Sequence, residues 1–373
     1  MADDVEQRTT CLQDCPETEQ ICHDRSMQVV YTAAHLLHDP HVEFETSRTH
    51  SPWEHIGRAE AIRETLQSDP RFVFSGPTQW GTGPIEAVHN PGLVRFLSEG
   101  WQLYQKAAGP TREVVPDVFY RAALRNKMAP RGEPTSIYGR VGWWCFETTT
   151  PLTEGTYEAS LGAVDTALTA TSMVLGGERA AYGLCRPPGH HATSDLYGGY
   201  CFFNNAAVAA HHVASTTGTK VTVLDVDYHH GNGTQEIFYD RDDVQYVSLH
   251  GDPTAAYPYS IGYADETGAG RGLGSNLNVP LAPRTDDDRY VLALEAACSA
   301  IEAFGPSTLI VSLGLDTFIT DPICDLSVTT EGFARCGALI AQLGLPTVVL
   351  QEGGYDVAAL GANVHSWLTG LGA

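Results

Sequence analysis

The sequence contains no stretch approaching the roughly 20 apolar residues that a membrane-spanning helix needs. Its start, Met1-Ala2-Asp3-Asp4-Val5-Glu6, is acidic and lacks an apolar core. No secretory signal is therefore expected, and a cytoplasmic protein is the default. Positive charge is scarce: 22 Lys and Arg stand against 45 Asp and Glu, a net charge of −23 with histidine neutral. This argues against general binding to nucleic acid or an anionic membrane and is compatible with cationic substrates. Plain solubility is the simpler account of the charge taken by itself. The nine cysteines are odd in number and follow no repeated spacing, so they read as reduced thiols rather than a disulfide framework. Cys11, Cys15 and Cys22 cluster near the start, where an unremarkable extension explains them better than a metal site. Internal repeats and low-complexity tracts are also missing.

What is present is a chain of 373 residues, 43% hydrophobic, able to bury a large core. Residues 1–26 are polar and acidic with weak periodicity, the pattern of a flexible or loosely docked leader. Met27-Gln28-Val29-Val30-Tyr31 looks like the first strand, and a helix is expected from Ser51 to about Leu66. Leu93, Leu97, Trp101 and Tyr104 share one face of a second helix. Between Gly109 and Val141 the pattern fails. This segment holds Pro110, Pro116, Pro130 and Pro134 and six basic residues, Arg112, Arg121, Arg125, Lys127, Arg131 and Arg140. Its apolar strip, Val114, Val115, Val118, Phe119 and Tyr120, favours docking over disorder. From Tyr157 strand and helix alternate. Helices are expected over Tyr157–Leu175, Phe203–Ala214, from Thr234, and over Arg289–Phe304, Glu331–Leu343 and Val357–Leu368. Strands are expected over Ala180–Leu184, Lys220–Asp225, Val244–Leu249, Thr308–Leu313 and Thr347–Leu350. Such alternation implies an α/β fold with a mostly parallel sheet covered by helices on both faces.

The central strand carries the chemistry. Side chains two apart on extended backbone point the same way, so Asp225, Asp227 and His229 reach one side of a carboxyl-terminal strand end. Parallel sheets place ligand sites there. Two acids and a histidine at one spot call for a cation, and carboxylate with imidazole suits a zinc site with open positions. Other strands end in polar groups too. Cys185-Arg186-Pro187-Pro188-Gly189-His190-His191 presents adjacent imidazoles, suited to a base and an acid. Gly314-Leu315-Asp316 offers a third carboxylate. Gln351-Glu352-Gly353-Gly354-Tyr355 places a tyrosine behind two glycines. Each ending alone is weak; four on one sheet edge are hard to explain structurally.

Together Arg186–His191, Gly198-Gly199-Tyr200-Cys201-Phe202-Phe203-Asn204-Asn205, Asp225–Thr234, Ser248-Leu249-His250-Gly251-Asp252-Pro253, Gly314–Thr317 and Glu352–Tyr355 resemble the zinc-dependent deacetylase family. That family joins histone deacetylases, acetylpolyamine amidohydrolases and related bacterial amidohydrolases; this stretch looks most like the acetylpolyamine amidohydrolases, with class II histone deacetylases close behind. The resemblance implies a single domain over 27–373 of the arginase/deacetylase fold, with about eight parallel strands. It implies that Asp227, His229 and Asp316 hold zinc (Zn2+) and that His191, oriented by Asn232, is the general base. His190 would pair with Asp225, moving that acid out of the metal's ligand set, and Tyr355 would donate to the oxyanion. A structural potassium ion (K+) would lie at Asp225, Asp227, His229, Ser248 and Leu249. Gly199, Tyr200 and Tyr257 would line an acyl-amine tunnel. The 109–141 loop would support a homodimer or larger homo-oligomer, with Glu43 and Asp117 as rim acids; Tyr138 stands where that subfamily would have an acid.

The expected function is thus hydrolysis of an N-acyl amine, an acetylpolyamine-type small molecule or, alternatively, acetyl-lysine in a peptide. A dinuclear manganese ureohydrolase of the same fold needs more metal acids and histidines and has no use for Tyr355. An inert acyl-lysine binding module has no need of the whole set of Asp227, His229, Asp316, His191 and Tyr355. His211-His212 reads as a helix-surface or core pair, Gly268–Gly274 as a loop rather than a nucleotide cradle, and Asp286-Asp287-Asp288 as a helix start.

Overall fold

The computed structural model describes residues 26–373. The expected leader, apart from Ser26, and with it Cys11, Cys15 and Cys22, lies outside the described residues. In chain order the strands are β1 (Met27–Val30), β2 (Glu43–Glu45), β3 (Arg48–His50), β4 (Phe72–Ser75), β5 (Ala180–Gly183), β6 (Val221–Asp225), β7 (Val244–Gly251), β8 (Asn276–Leu281), β9 (Thr308–Leu313) and β10 (Thr347–Gln351). The helices are α1 (Ile56–Gln67), α2 (Gly83–Glu86), α3 (Pro91–Ala108), α4 (Ile137–Trp144), α5 (Thr156–Leu175), α6 (Asn205–Thr217), α7 (Asn232–Phe238), α8 (Asp287–Phe304), α9 (Thr330–Ala341) and α10 (Val357–Leu371). None is long and apolar enough to cross a membrane.

Eight strands form one parallel sheet in the order β4-β1-β5-β10-β9-β6-β7-β8, and β2 and β3 make a separate antiparallel hairpin. The central strands are apolar without alternation because both faces are covered. Along β6, Val221 and Val223 face a cluster with α5 and α6, whereas Leu224 faces α1, α8, α9 and α10. Along β9 and β10, Ile310, Val348 and Leu350 join the first layer and Leu309, Val311 and Val349 the second. Ala163, Ala167 and Ala170 of α5 and Ala206, Ala207, Ala209 and Ala210 of α6 are all buried in the first layer. Their small side chains let those helices lie close on the sheet. A third cluster, beyond the sheet, packs α3 and α4 on Tyr197, Phe202 and Phe203.

Several boundaries differ from expectation. The first helix begins at Ile56, not Ser51, because extended His55 caps it by accepting the Gly57 N–H. The α6 helix begins at Asn205, since the Asn204 side chain takes the Ala207 N–H as a cap. Strands β2, β3, β4 and β8 are additional to the sequence reading. β8 is an edge strand in which Asn276, Asn278 and Pro280 interrupt the apolar run, and an edge tolerates proline. The irregular segment ends at Ser136, not Val141, because Ile137, Val141 and Trp144 recur at helical spacing and are buried. Within it lie a short 3-10 turn, Ala122–Arg125, and a bridge from Val114 to Leu152. The Gly268–Gly274 loop folds back on α7, the Ala269 N–H donating to the Tyr239 carbonyl. Asp286 caps α8 through the Arg289 N–H, and the His212 ring lies edge-on to Trp80.

Candidate active site

The four strand endings singled out from the sequence belong to four neighbouring strands, β5-β10-β9-β6, at the middle of the sheet. Their carboxyl ends bring His190 and His191, Tyr355, Asp316, and Asp225 to His229 around one point.

There the His229 Nδ1 lies 3.0 Å from an Asp316 oxygen and 3.3 Å from an Asp227 oxygen. Backbone N–H groups orient both carboxylates: Gly353 donates to Asp227 Oδ2 at 2.7 Å and Tyr228 to Asp316 Oδ1 at 2.7 Å. A Cβ built on Gly353 would lie 2.5 Å from Oδ2 of both Asp227 and Asp316, so only glycine leaves the carboxylates room to converge. Burial, reinforced by the Asp227 charge, pushes the Asp316 carboxyl above the usual carboxylate range. Two buried acids and an imidazole that close to one another are a donor set that fits a divalent cation, zinc in particular. The Cys324 Sγ, which the sequence reading passed over, also lies within 4.8 Å of donor atoms of His229 and Asp316.

The paired imidazoles differ in environment. His190 Nδ1 is 3.1 Å from Asp225 Oδ2, which also accepts the Tyr246 hydroxyl at 3.0 Å. Burial opposes charge on His190, but Asp227 and Asp225 outweigh it and raise its pKa to about 10. His191 Nδ1 lies 2.7 Å from Asn232 Oδ1, while Asn232 Nδ2 donates to the His191 carbonyl at 3.3 Å. That pairing makes Nδ1 the donor and leaves Nε2 with its lone pair. Burial, with His190 and His229 nearby, holds the His191 pKa well below the usual histidine value. The carboxylate beside His190 thus favours its imidazolium, and the amide beside His191 favours the free base.

Tyr355 is buried, and its backbone N–H is fixed by Asp321 Oδ2 at 2.7 Å. Burial keeps its phenol protonated, and the Arg58 guanidinium stacks 4.6 Å from its ring centroid. Arg58 belongs to a buried network absent from the sequence reading. It donates to the carbonyls of Gly354 and Glu352, both at 2.6 Å, and to Glu54 at 3.0 Å. Arg186 grips the same Glu54 with two hydrogen bonds, 2.8 and 3.0 Å. A signal existed: Arg58 continues the stripe of Ile62 and Leu66 at four-residue spacing, marking a charge on a buried face.

A cleft of about 380 Å³ leads from His191, His229 and Tyr355 to the surface between Gly199, Tyr200, Tyr228, Tyr257 and Tyr259. Gly199 and Tyr200 both have positive φ, and a Cβ on Gly199 would come within 2.4 Å of the His191 ring. The Tyr257 ring stands edge-on to His191 at 5.0 Å. Glu43 sits behind this wall, only 1% exposed, accepting the Tyr200 hydroxyl at 2.5 Å and the Trp53 N–H at 3.1 Å. The acids in the wall are instead Glu45 and Glu147, which the sequence reading did not select. Asp117 is exposed outside the cleft lining. Ser248 and Leu249 are buried on β7, with Ser248 in register with Asp225.

Comparison with known proteins points to one family. The histone deacetylase domain model matches residues 48–371. Acetylpolyamine amidohydrolase 2 of Pseudomonas aeruginosa is 42% identical over 345 residues, 92% of this chain and 98% of that protein. The acetylpolyamine amidohydrolase of Mycoplana ramosa is 40% identical, covering 92% of this chain and 99% of its own. Among solved structures, an acetylpolyamine aminohydrolase from Burkholderia pseudomallei superposes with a TM-score of 0.87 at 39% identity. It covers 93% of this chain and 99% of that one.

Proposed function

The chain belongs to the histone deacetylase domain family, and from that premise we propose that it is a zinc-dependent amidohydrolase that removes acetyl groups from acetylpolyamines. The observation that carries the substrate assignment is the cleft itself. Aromatic walls suit a methylene chain, and Glu45 and Glu147 stand in the same wall for a distal ammonium. Glu147 is held in place by the Gly199 N–H at 3.0 Å and the Thr149 hydroxyl at 2.5 Å. The net charge of −23 draws polycations toward it.

Asp227, His229 and Asp316 would hold the zinc ion. Bound there, it would supply Lewis acidity toward the acyl carbonyl and the attacking water. The chain's own groups do the rest. His191 Nε2, free because Nδ1 is committed to Asn232, accepts the proton of the attacking water. Tyr355 donates its hydroxyl to the oxygen that gains charge. His190, its Nδ1 paired with Asp225, stabilises that charge and assists protonation of the departing amine. Acetate and the free amine are the products. Gly199, Tyr200 and Tyr257 exclude water and branched groups. Asp225, Asp227, His229, Ser248 and Leu249 would hold a potassium ion beneath the site, where β6 and β7 pair.

We also assign the 109–141 segment to self-association. Val118, Leu124, Met128 and Tyr138 expose apolar surface there, which supports a second copy as the occupant. The free thiols of Cys145, Cys185, Cys201, Cys298, Cys324 and Cys336 suit a reducing, cytoplasmic setting.

The test is turnover by zinc-loaded protein on N-acetylputrescine, N-acetylspermidine and an acetyl-lysine peptide, beside a chelated control. Preference for the acetylpolyamines is expected, with activity abolished by chelation and restored by zinc. Preference for the peptide would transfer the protein to protein deacetylation, and inertness toward all three would overturn the acetyl assignment.

A further inference from the structure

Glu352 is 1% exposed and has no role in the mechanism above. A buried carboxylate is costly unless donors satisfy it. Here Oε2 accepts two adjacent backbone N–H groups, Gly189 at 2.6 Å and His190 at 3.2 Å. Oε1 accepts the Ser312 hydroxyl at 3.2 Å. The backbone around Glu352 is equally committed. Its N–H donates to Leu313 and its carbonyl accepts Arg58. The next N–H, of Gly353, holds Asp227, and Tyr355 follows two residues later.

We propose that Glu352 is a positioning residue, a clamp that sets the His190–His191 segment against the strand end bearing Asp227's anchor and Tyr355. Through it the base, the metal carboxylate and the oxyanion donor keep a common register. The loop after β5 needs such a tie. The peptide N–H groups of Gly189 and His190 lie beyond β5, which ends at Gly183, and both donate to Glu352, so an apolar residue at 352 would leave both unpaired. Only a long side chain ending in an acceptor reaches them. All three of its hydrogen-bond partners are neutral N–H or O–H donors, so its reach and lone pairs matter more than its charge. This inference rests on the two-histidine reading of the base.

Two variants separate reach from charge. In Glu352→Gln the amide oxygen still accepts both N–H groups and the amide nitrogen donates to Ser312. In Glu352→Asp the charge stays, but the carboxylate is one methylene short of the loop. Both are assayed as zinc-loaded protein on whichever acyl amine the wild type hydrolyses, with metal content and thermal midpoint recorded. The clamp predicts that Glu352→Asp binds zinc, keeps KM and loses kcat by roughly 100-fold, the scale of a misplacement near 1 Å. Glu352→Gln should restore most of kcat. A wild-type kcat in Glu352→Asp would overturn the proposal. So would a Glu352→Gln variant that falls as far as Glu352→Asp or fails to fold or bind zinc. An inert wild type would instead refute the enzymatic reading from which the inference starts.

Discussion

Replacing Glu54 with Gln tests whether the buried arginines govern both stability and catalysis. Glu54 lies between Arg58 and Arg186, and all three side chains are at most 3% exposed. Burial alone would raise the Glu54 carboxyl, but Arg186 and then Arg58 overcome it and depress it to about 2 from about 4.5. A difference of that size corresponds to about 3 kcal/mol at roughly 1.4 kcal/mol per unit. Breaking a buried ion pair by removing one partner gives a similar magnitude, about 3–5 kcal/mol, because the remaining charges stay buried unpaired. The variant should therefore unfold at markedly lower urea concentration with an unchanged slope. Since the folded pKa is depressed, the wild type's gain is complete above the unfolded value of about 4.5 and fades as pH falls toward 2. The variant's deficit should shrink over that same window. Turnover should fall as well, because Arg58 also holds the Gly354 and Glu352 carbonyls and stacks on Tyr355. A Glu54→Gln protein with wild-type urea midpoint at pH 7 would refute the reasoning.

Three further outcomes are expected. Tyr355→Phe removes one donor and leaves the ring on Arg58, so kcat should drop by roughly 10²–10³ while zinc content stays constant; steady-state kinetics with metal analysis decide it. Glu147→Gln and Glu45→Gln should raise KM for N-acetylspermidine and not for an uncharged N-acetyl alkylamine, the difference shrinking as salt is added. Gly199→Ala would force a methyl to within 2.4 Å of His191 at a backbone φ of +59°, so kcat should collapse with little change in zinc affinity, measured by titration against a chelator.

Much of the site was legible because its signals are local. Asp225, Asp227 and His229 follow an apolar run at two-residue spacing, and β6 does end at Asp225. The glycine and proline runs before His190 and Tyr355 mark loops at strand ends, where they indeed lie. The rim was less legible. Glu43 is the same residue type as Glu45 and lies two residues away, yet it turns inward to Tyr200 while Glu45 faces the cleft. Glu147 looked like any loop acid until Gly199 and two threonines were folded onto it. Edge strand β8 was missed because its asparagines bond to Gln235, a partner 41 or 43 residues away.

The sequence by itself determined the α/β alternation and which residue types stand at each strand end, since periodicity and turn chemistry act over a few residues. Tertiary structure alone decided that β5, β6, β9 and β10, scattered between Ala180 and Gln351, become neighbours in the order β5-β10-β9-β6. It also decided which charges are buried. Arg58, Arg186, Glu54 and Glu352 sit in the interior because partners far away in the chain satisfy them. Their energies depend on desolvation and on distances that exist only after the sheet and its helices have closed around them.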